Sequence, residues 1–209
     1  MPKLLQDNPK AALIIIDMQN DFLQGGALEV PQANEIITDI NKLSHKAKNV
    51  ICTQDWHPED HISFAQNHKD KKAYETIDTE NGPQKLWPAH CVQGSFGAKI
   101  HKDIEKKDIK LIIRKGYRKE LDSYSAFFEN DHKTPTGLNG YLKEKGIDTL
   151  FFCGVATDFC VAYSALDAVK CGFTAHVILN ACRAIDTENS LDTMLKKMQE
   201  KGVKLLLGA

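Results

Sequence analysis

Six short apolar runs divide this chain, and helical spacing fills much of the sequence between them. The runs are residues 12–17 (ALIIID), 49–53 (NVICT), 111–114, 149–153, 175–179 and 203–207. Continuous apolar runs of this length, without alternation, predict strands buried on both faces. Residues 34–47 instead set Ile36, Ile37, Ile40 and Leu43 at helical spacing. Further helices are predicted at about 137–145, 158–171 and 187–201, the last with Leu191, Met194, Leu195 and Met198 on one face. Strands that alternate with amphipathic helices form βαβ units, so a parallel sheet with helices on both sides is expected.

Residues 151–161, FFCGVATDFCV, are the most informative part of this pattern. Phe151, Phe152 and Cys153 end a strand at Gly154. Ala162, Ala165, Leu166 and Val169 then fall on one helical face, and Gly172 stops the helix. Thr157 is a natural N-cap, which puts Cys160 at the third helical position. Free amides and the helix dipole favour a thiolate there, so Cys160 is a candidate nucleophile. A small buried apolar thiol is the alternative.

Ligands in open α/β sheets sit outside the carboxyl ends of the strands. That rule selects Asp17, Asp55 with His57, Lys115, and the turn from Gly154 to Cys160. Two connections, at about 54–108 and 115–136, are too long for plain linkers and are expected to be lids or binding loops.

The length of 209 residues suits one domain, taken as residues 1–209. The net charge of −1 argues against a nucleic-acid platform or an acidic tail. No apolar run is of membrane-spanning length and no basic leader precedes one, so a soluble, cytoplasmic protein is expected. The cysteines at 52, 91, 153, 160, 171 and 182 are scattered without a C-x-x-C pair, and reduced thiols are expected.

Three constellations carry candidate chemistry. Asp17, Lys115 and Cys160 each follow or end a different strand. A thiol attacking a carbonyl needs a base, which Asp17 supplies if burial raises its pKa, while Lys115 counters the negative charge. Taken singly, Asp17 reads first as a loop cap and Lys115 as a solvated charge; three complementary groups at one sheet edge reverse that preference. Asp55 and His57, with His61 and His90 downstream, offer a carboxylate and imidazoles to a divalent metal, with solvated histidines as the alternative. Phe22, Trp87 and Tyr124 are walls for a flat heteroaromatic substrate, or ordinary core rings.

The blocks DMQNDF (17–22), TQDWHPEDHISFA (53–65), LWPAHCVQG (86–94), RKG with SYSAF (114–116, 123–127) and GVATDFCV (154–161) resemble the nicotinamidases. These are metal-containing amidases of the isochorismatase-like cysteine hydrolase superfamily. The resemblance implies a three-layer α/β/α sandwich around a parallel sheet of about six strands. It makes Cys160 the nucleophile, Asp17 the base and acid, and Lys115 the third member of a triad. It also implies a metal on Asp55, His57 and His90, with His61 a ligand in some members only. Zinc, iron and manganese all suit that donor set, zinc first. Phe22, Trp87 and Tyr124 match pocket positions. The amides of Ala156 and Cys160 match the oxyanion site, with a cis peptide after Val155. Phe159 sits at a variable position that bears on selectivity.

The implied activity is hydrolysis of nicotinamide, and of pyrazinamide, in NAD salvage, with a small-molecule substrate and neither nucleic acid nor membrane as partner. An amidase for non-pyridine amides would need no metal set. An isochorismatase typically lacks the cysteine. A silent binding relative would have lost a triad member, and none is missing here.

Overall fold

A computed structural model describes residues 3–207. In chain order the strands are β1 (Ala11–Ile16), β2 (Val50–Asp55), β3 (Thr76–Thr79), β4 (Gly82–Lys85), β5 (Ile109–Lys115), β6 (Thr149–Val155), β7 (Thr174–Arg183) and β8 (Lys204–Leu206). The helices are α1 (Lys3–Gln6), α2 (Ile37–Lys46), α3 (Leu138–Glu144), α4 (Ala162–Lys170) and α5 (Ser190–Glu200).

Every residue of β1, β2 and β6 is buried, including the polar Thr53, Gln54 and Asp55 at the end of β2. They lie at the centre of a six-stranded sheet of order β5-β2-β1-β6-β7-β8, parallel throughout. From β1 the chain steps outward to β2 and β5; from β6 it steps the other way to β7 and β8. Right-handed crossovers therefore put α2 on one face and α4 and α5 on the other. This is the three-layer α/β/α sandwich that was expected. The reversal falls between β1 and β6, where a crevice opens at the carboxyl ends.

The helices bury the faces that their spacing predicts. Ile37, Ile40 and Leu43 of α2 are buried, as are Met194 and Met198 of α5. Residues Ala33–Ile36 form a separate 3₁₀ turn ahead of α2, so the periodic stretch at 34–47 is two elements. β3 and β4 form an antiparallel ribbon inside the long 54–108 connection. Their sequence, TIDTENGPQK, lacks apolar alternation, so no strand pattern marks them. Among the described residues no helix is long and apolar enough to cross a membrane.

Around Cys160 the fold departs from the sequence reading. β6 does not stop at Gly154 but continues to Val155. Gly154 pairs with Ile16 and has φ +110°, and a Cβ there would run into the Ile16 backbone. The glycine is required by the close approach of β1, not by a strand end. Thr157 is not an N-cap either. It opens a π-helical turn, Thr157–Val161, that leads into α4 without a side-chain cap. Cys160 therefore sits in a widened turn, a distortion common at functional sites. The Ser164 hydroxyl donates to the Cys160 carbonyl at 2.6 Å and fixes the turn. All six cysteines are free.

Gly154→Ala should lower the unfolding free energy in urea by at least about 2 kcal/mol, through positive φ and steric conflict together. A loss under about 0.5 kcal/mol would show that the β1 backbone does not restrict this position.

Candidate active site

Lys115 is the last residue of β5, paired in register with Asp55 of β2, and its side chain is fully buried. A lysine is seldom buried without partners, and the partners here are specific. Its ammonium donates to Asp55 Oδ1 at 2.5 Å, to the Ser123 carbonyl at 3.0 Å and to Cys160 Sγ at 3.5 Å. It also lies 2.9 Å from Asp17 Oδ2. Burial alone would lower the lysine pKa, but Asp17 and Asp55 outweigh it and hold it well above the usual range. The group is a permanent cation.

Asp17 directly follows β1 with φ 48°, in the left-handed region. Its Oδ1 accepts from Thr53 Oγ1 at 2.5 Å, and its amide donates to the same hydroxyl oxygen. Oδ2 is ion-paired with the Lys115 ammonium at 2.9 Å, both groups fully buried. Burial raises the Asp17 pKa and Asp55 adds to the rise, against the pull of Lys115. The Asp17 carboxylate, the Asp55 carboxylate and Cys160 Sγ lie within 4.8 Å of one another. Asp17 thus has a raised proton affinity beside a thiol.

The thiol itself is not the pre-formed thiolate that a helix N-terminus favours. Burial pushes Cys160 well above its ordinary pKa, and Lys115 offsets this only in part. The widened turn removes the predicted third helical position, and the thiol is buried. Cys160 needs a base.

Asp55 behaves in the opposite way to Asp17. Burial would raise its pKa, but Lys115 and His57 hold it well below the carboxylate range. Its Oδ2 lies 3.3 Å from His57 Nε2 and 3.7 Å from His90 Nε2. The far ring nitrogens are fixed by backbone carbonyls: His57 Nδ1 with Gly116 O and His90 Nδ1 with Pro88 O, each at 2.8 Å. Both rings therefore present Nε2 toward Asp55, the second-sphere arrangement usual for metal-ligating histidines. Gly116 has φ +63°, and a Cβ there would strike the His57 ring.

His61 is fully buried beside His57, at 4.2 Å between ring centroids, and groups with His57 and Asp122 rather than with Asp55 and His90. Its Nδ1 bonds Ser63 Oγ at 2.7 Å, while its buried Nε2 has no partner. Burial, together with the neighbouring His57, lowers its pKa to about 4, which favours the neutral ring. A carboxylate, two oriented imidazoles and an orphaned imidazole nitrogen fit a divalent cation.

These groups open on one cavity, lined by Phe22, Trp87, Tyr124 and Phe159 as well as by Asp55, His57, His90 and Cys160. Trp87 Nε1 donates to the Tyr124 hydroxyl at 3.1 Å, and Trp87 packs edge-on to Phe159 at 4.9 Å. Ala156 is also in the lining, and the Val155–Ala156 peptide is cis. Every predicted site residue except Asp17, Lys115 and His61 lines the cavity; Asp17 and Lys115 lie beneath it, against Cys160.

Sequence reasoning missed Leu28, Asp122 and Ile185 in the lining. It also missed Gln19, whose amide bridges β1 to β2 by donating to Asp55 O at 2.8 Å and accepting from Asp55 N at 2.7 Å. Thr53 and Gln19 are polar residues at buried strand ends, which is a readable signal. Ile185 left none.

A buried thiol, carboxylate and ammonium lie beside a metal-type donor set at the switch point of a parallel sheet, in a fold of the isochorismatase-like α/β hydrolase kind. The chain belongs to the isochorismatase domain family, whose sequence model matches residues 11–209. It is 51% identical over 193 residues to a nicotinamidase of Acinetobacter baylyi, covering 92% of this chain and 90% of that one. A solved Acinetobacter baumanii nicotinamidase–pyrazinamidase superposes with a TM-score of 0.94 at 52% identity, over 95% of this chain and 96% of the other. A pyrazinamidase of Pyrococcus horikoshii in complex with zinc gives a TM-score of 0.77 at 34% identity, over 96% and 100% of the two chains.

Lys115→Met would leave two carboxylates buried without a cation, and should cost about 3–5 kcal/mol of stability near neutral pH. The deficit should shrink from about pH 8 to about pH 5, because the folded variant would bind protons that the unfolded chain does not. Denaturation curves across that range check this; a pH-independent deficit would contradict it.

Proposed function

We propose that this chain hydrolyses nicotinamide to nicotinate and ammonia through a thioester on Cys160. It would do so as a cytoplasmic enzyme of NAD salvage, with residues 1–209 forming one domain. The observation that carries the proposal is the single buried ammonium that touches Asp17, Asp55 and Cys160 at the floor of an aromatic cavity. Relatives that carry the name nicotinamidase support the choice of substrate.

Asp17 Oδ2, ion-paired with Lys115, takes the Cys160 proton, and the sulfur adds to the amide carbon. Lys115 offsets the negative charge that the proton transfer leaves around the sulfur. The amides of Ala156 and Cys160 are assigned to the developing oxyanion, an effect worth about 3 kcal/mol per donor in such sites. Asp17 then returns its proton to the departing nitrogen, and ammonia leaves a nicotinoyl thioester. A water molecule deprotonated by Asp17 attacks the thioester. This releases nicotinate and restores the thiol.

Phe22, Trp87, Tyr124 and Phe159 hold the ring by its faces and edges. Asp55, His57 and His90 would hold a divalent cation, zinc by preference, with His61 as a further donor. Such a cation, when bound, supplies a Lewis-acid anchor for a ring nitrogen. Pyrazinamide also carries a ring nitrogen meta to its carboxamide and suits the same site.

Cys160→Ala should reduce ammonia release from nicotinamide by at least about 10⁴-fold. It should leave the circular dichroism spectrum and melting temperature near those of the parent. Near-parental turnover would remove Cys160 from the reaction.

Nicotinamide should be preferred to benzamide, which lacks the ring nitrogen, by at least about 100-fold in kcat/KM. Chelation should erase most of that preference. Equal hydrolysis of the two amides before chelation would refute the ring-nitrogen anchor and favour an amidase for non-pyridine substrates.

A further inference from the structure

Asp158 stands two residues before Cys160 and is 1% exposed. Its carboxylate is committed to a different part of the chain. Oδ1 accepts from the Ile185 amide at 3.1 Å, and Oδ2 accepts from the Asp186 amide at 2.8 Å and the Ser190 hydroxyl at 2.5 Å. Three donors on one buried carboxylate make a strong, charge-assisted anchor.

What it anchors is the segment between β7 and α5, residues 184–189, which has no regular structure. Asp186 (φ 53°), Glu188 (φ 56°) and Asn189 (φ 60°) all lie in the left-handed region. Non-glycine residues avoid that region, and three in four positions need support from outside the segment. Ile185 itself packs against the core, and a further tether is the pair of Lys85 Nζ with Glu188 Oε2 at 3.4 Å, whose Glu188 side chain is 85% exposed. Such a pair contributes little. Asp158 is the main polar tether.

The segment matters because it carries Ile185, an aliphatic side chain in the lining of the ring cavity. The geometry points to Asp158 as a positioning residue that sets Ile185 as a wall of the substrate cavity. It thereby ties that wall to the turn that carries Cys160. A ring entering the cavity would then meet a wall whose distance from the sulfur is fixed by one carboxylate. The inference deepens the nicotinamide reading and rests on it.

The test uses the whole protein and the variants Asp158→Asn, Ile185→Ala and their double mutant. An asparagine amide would present N–H groups toward N–H donors and lose at least one of the three bonds. Asp158→Asn should raise KM for nicotinamide roughly tenfold, with kcat within about threefold, the scale of one charge-assisted hydrogen bond. Ile185→Ala should do the same, and the double mutant should be no worse than the more impaired single, because both act through one wall. Without substrate, iodoacetamide should alkylate Cys160 several-fold faster in Asp158→Asn, followed by peptide mass spectrometry.

Unchanged KM and alkylation in Asp158→Asn, additive effects in the double mutant, or a loss in kcat alone would overturn the inference. If Asp158→Asn does not fold, Ser190→Ala removes one donor and should raise KM about threefold; an unchanged KM would then count against the inference. Alkylation needs no substrate. A parent protein inactive on nicotinamide would therefore overturn the functional reading, while the alkylation rates still judge the tether.

Discussion

Lys115 carries its charge to a point where the ends of β1, β2 and β5 and the turn after β6 meet. Burying an ammonium is costly unless opposite charges compensate for it, and the two carboxylates that do so are the two that matter for the site. The cation lowers both proton affinities, but their surroundings push the two apart. Asp55, bonded to it directly and flanked by His57, is held anionic. Asp17, fully buried and close to the Asp55 carboxylate, has a raised pKa although Lys115 lies 2.9 Å away. Two carboxylates pushed apart in this way are suited to two tasks: one to hold a cation, the other to move a proton.

The strand order makes this meeting possible. Asp17 and Cys160 come from the adjacent strands β1 and β6, on either side of the reversal, while Asp55 and Lys115 are register partners on β2 and β5. Smaller constraints hold the ends in place. Gln19 bridges β1 to β2, Thr53 bonds Asp17 twice, and the Gly116 carbonyl turns His57 so that Nε2 faces Asp55. Each replaces water at a buried polar atom, so each charge keeps its position as well as its protonation state.

Much of this was legible in the residues. Runs such as ALIIID and FFC declared the buried strands, and the rule for parallel sheets then selected Asp17, Asp55, Lys115 and Cys160 from strand ends alone. What was not legible depends on tertiary approach. Gly154 read as a stop because nothing local says that the Ile16 backbone passes beside it. Thr157 read as a cap because its type favours that position, yet the chain widens into a π-helical turn. That change matters, since the dipole argument for a thiolate at Cys160 gives way to a buried neutral thiol. Ile185 was invisible because its place in the cavity depends on a hydrogen bond from 27 positions away.

A neutral thiol paired with a proton-accepting carboxylate predicts a covalent route, and partitioning of its intermediate tests that most directly. Nicotinamide and methyl nicotinate, turned over in the presence of hydroxylamine, should give nicotinoyl hydroxamate and nicotinate in one common ratio. Both substrates would pass through the same thioester on Cys160, and the ratio reports only how that thioester divides between two nucleophiles. Different ratios from the two substrates, or nicotinate formed with no hydroxamate at saturating hydroxylamine, would mean that water attacks the amide directly and that Cys160 is not acylated.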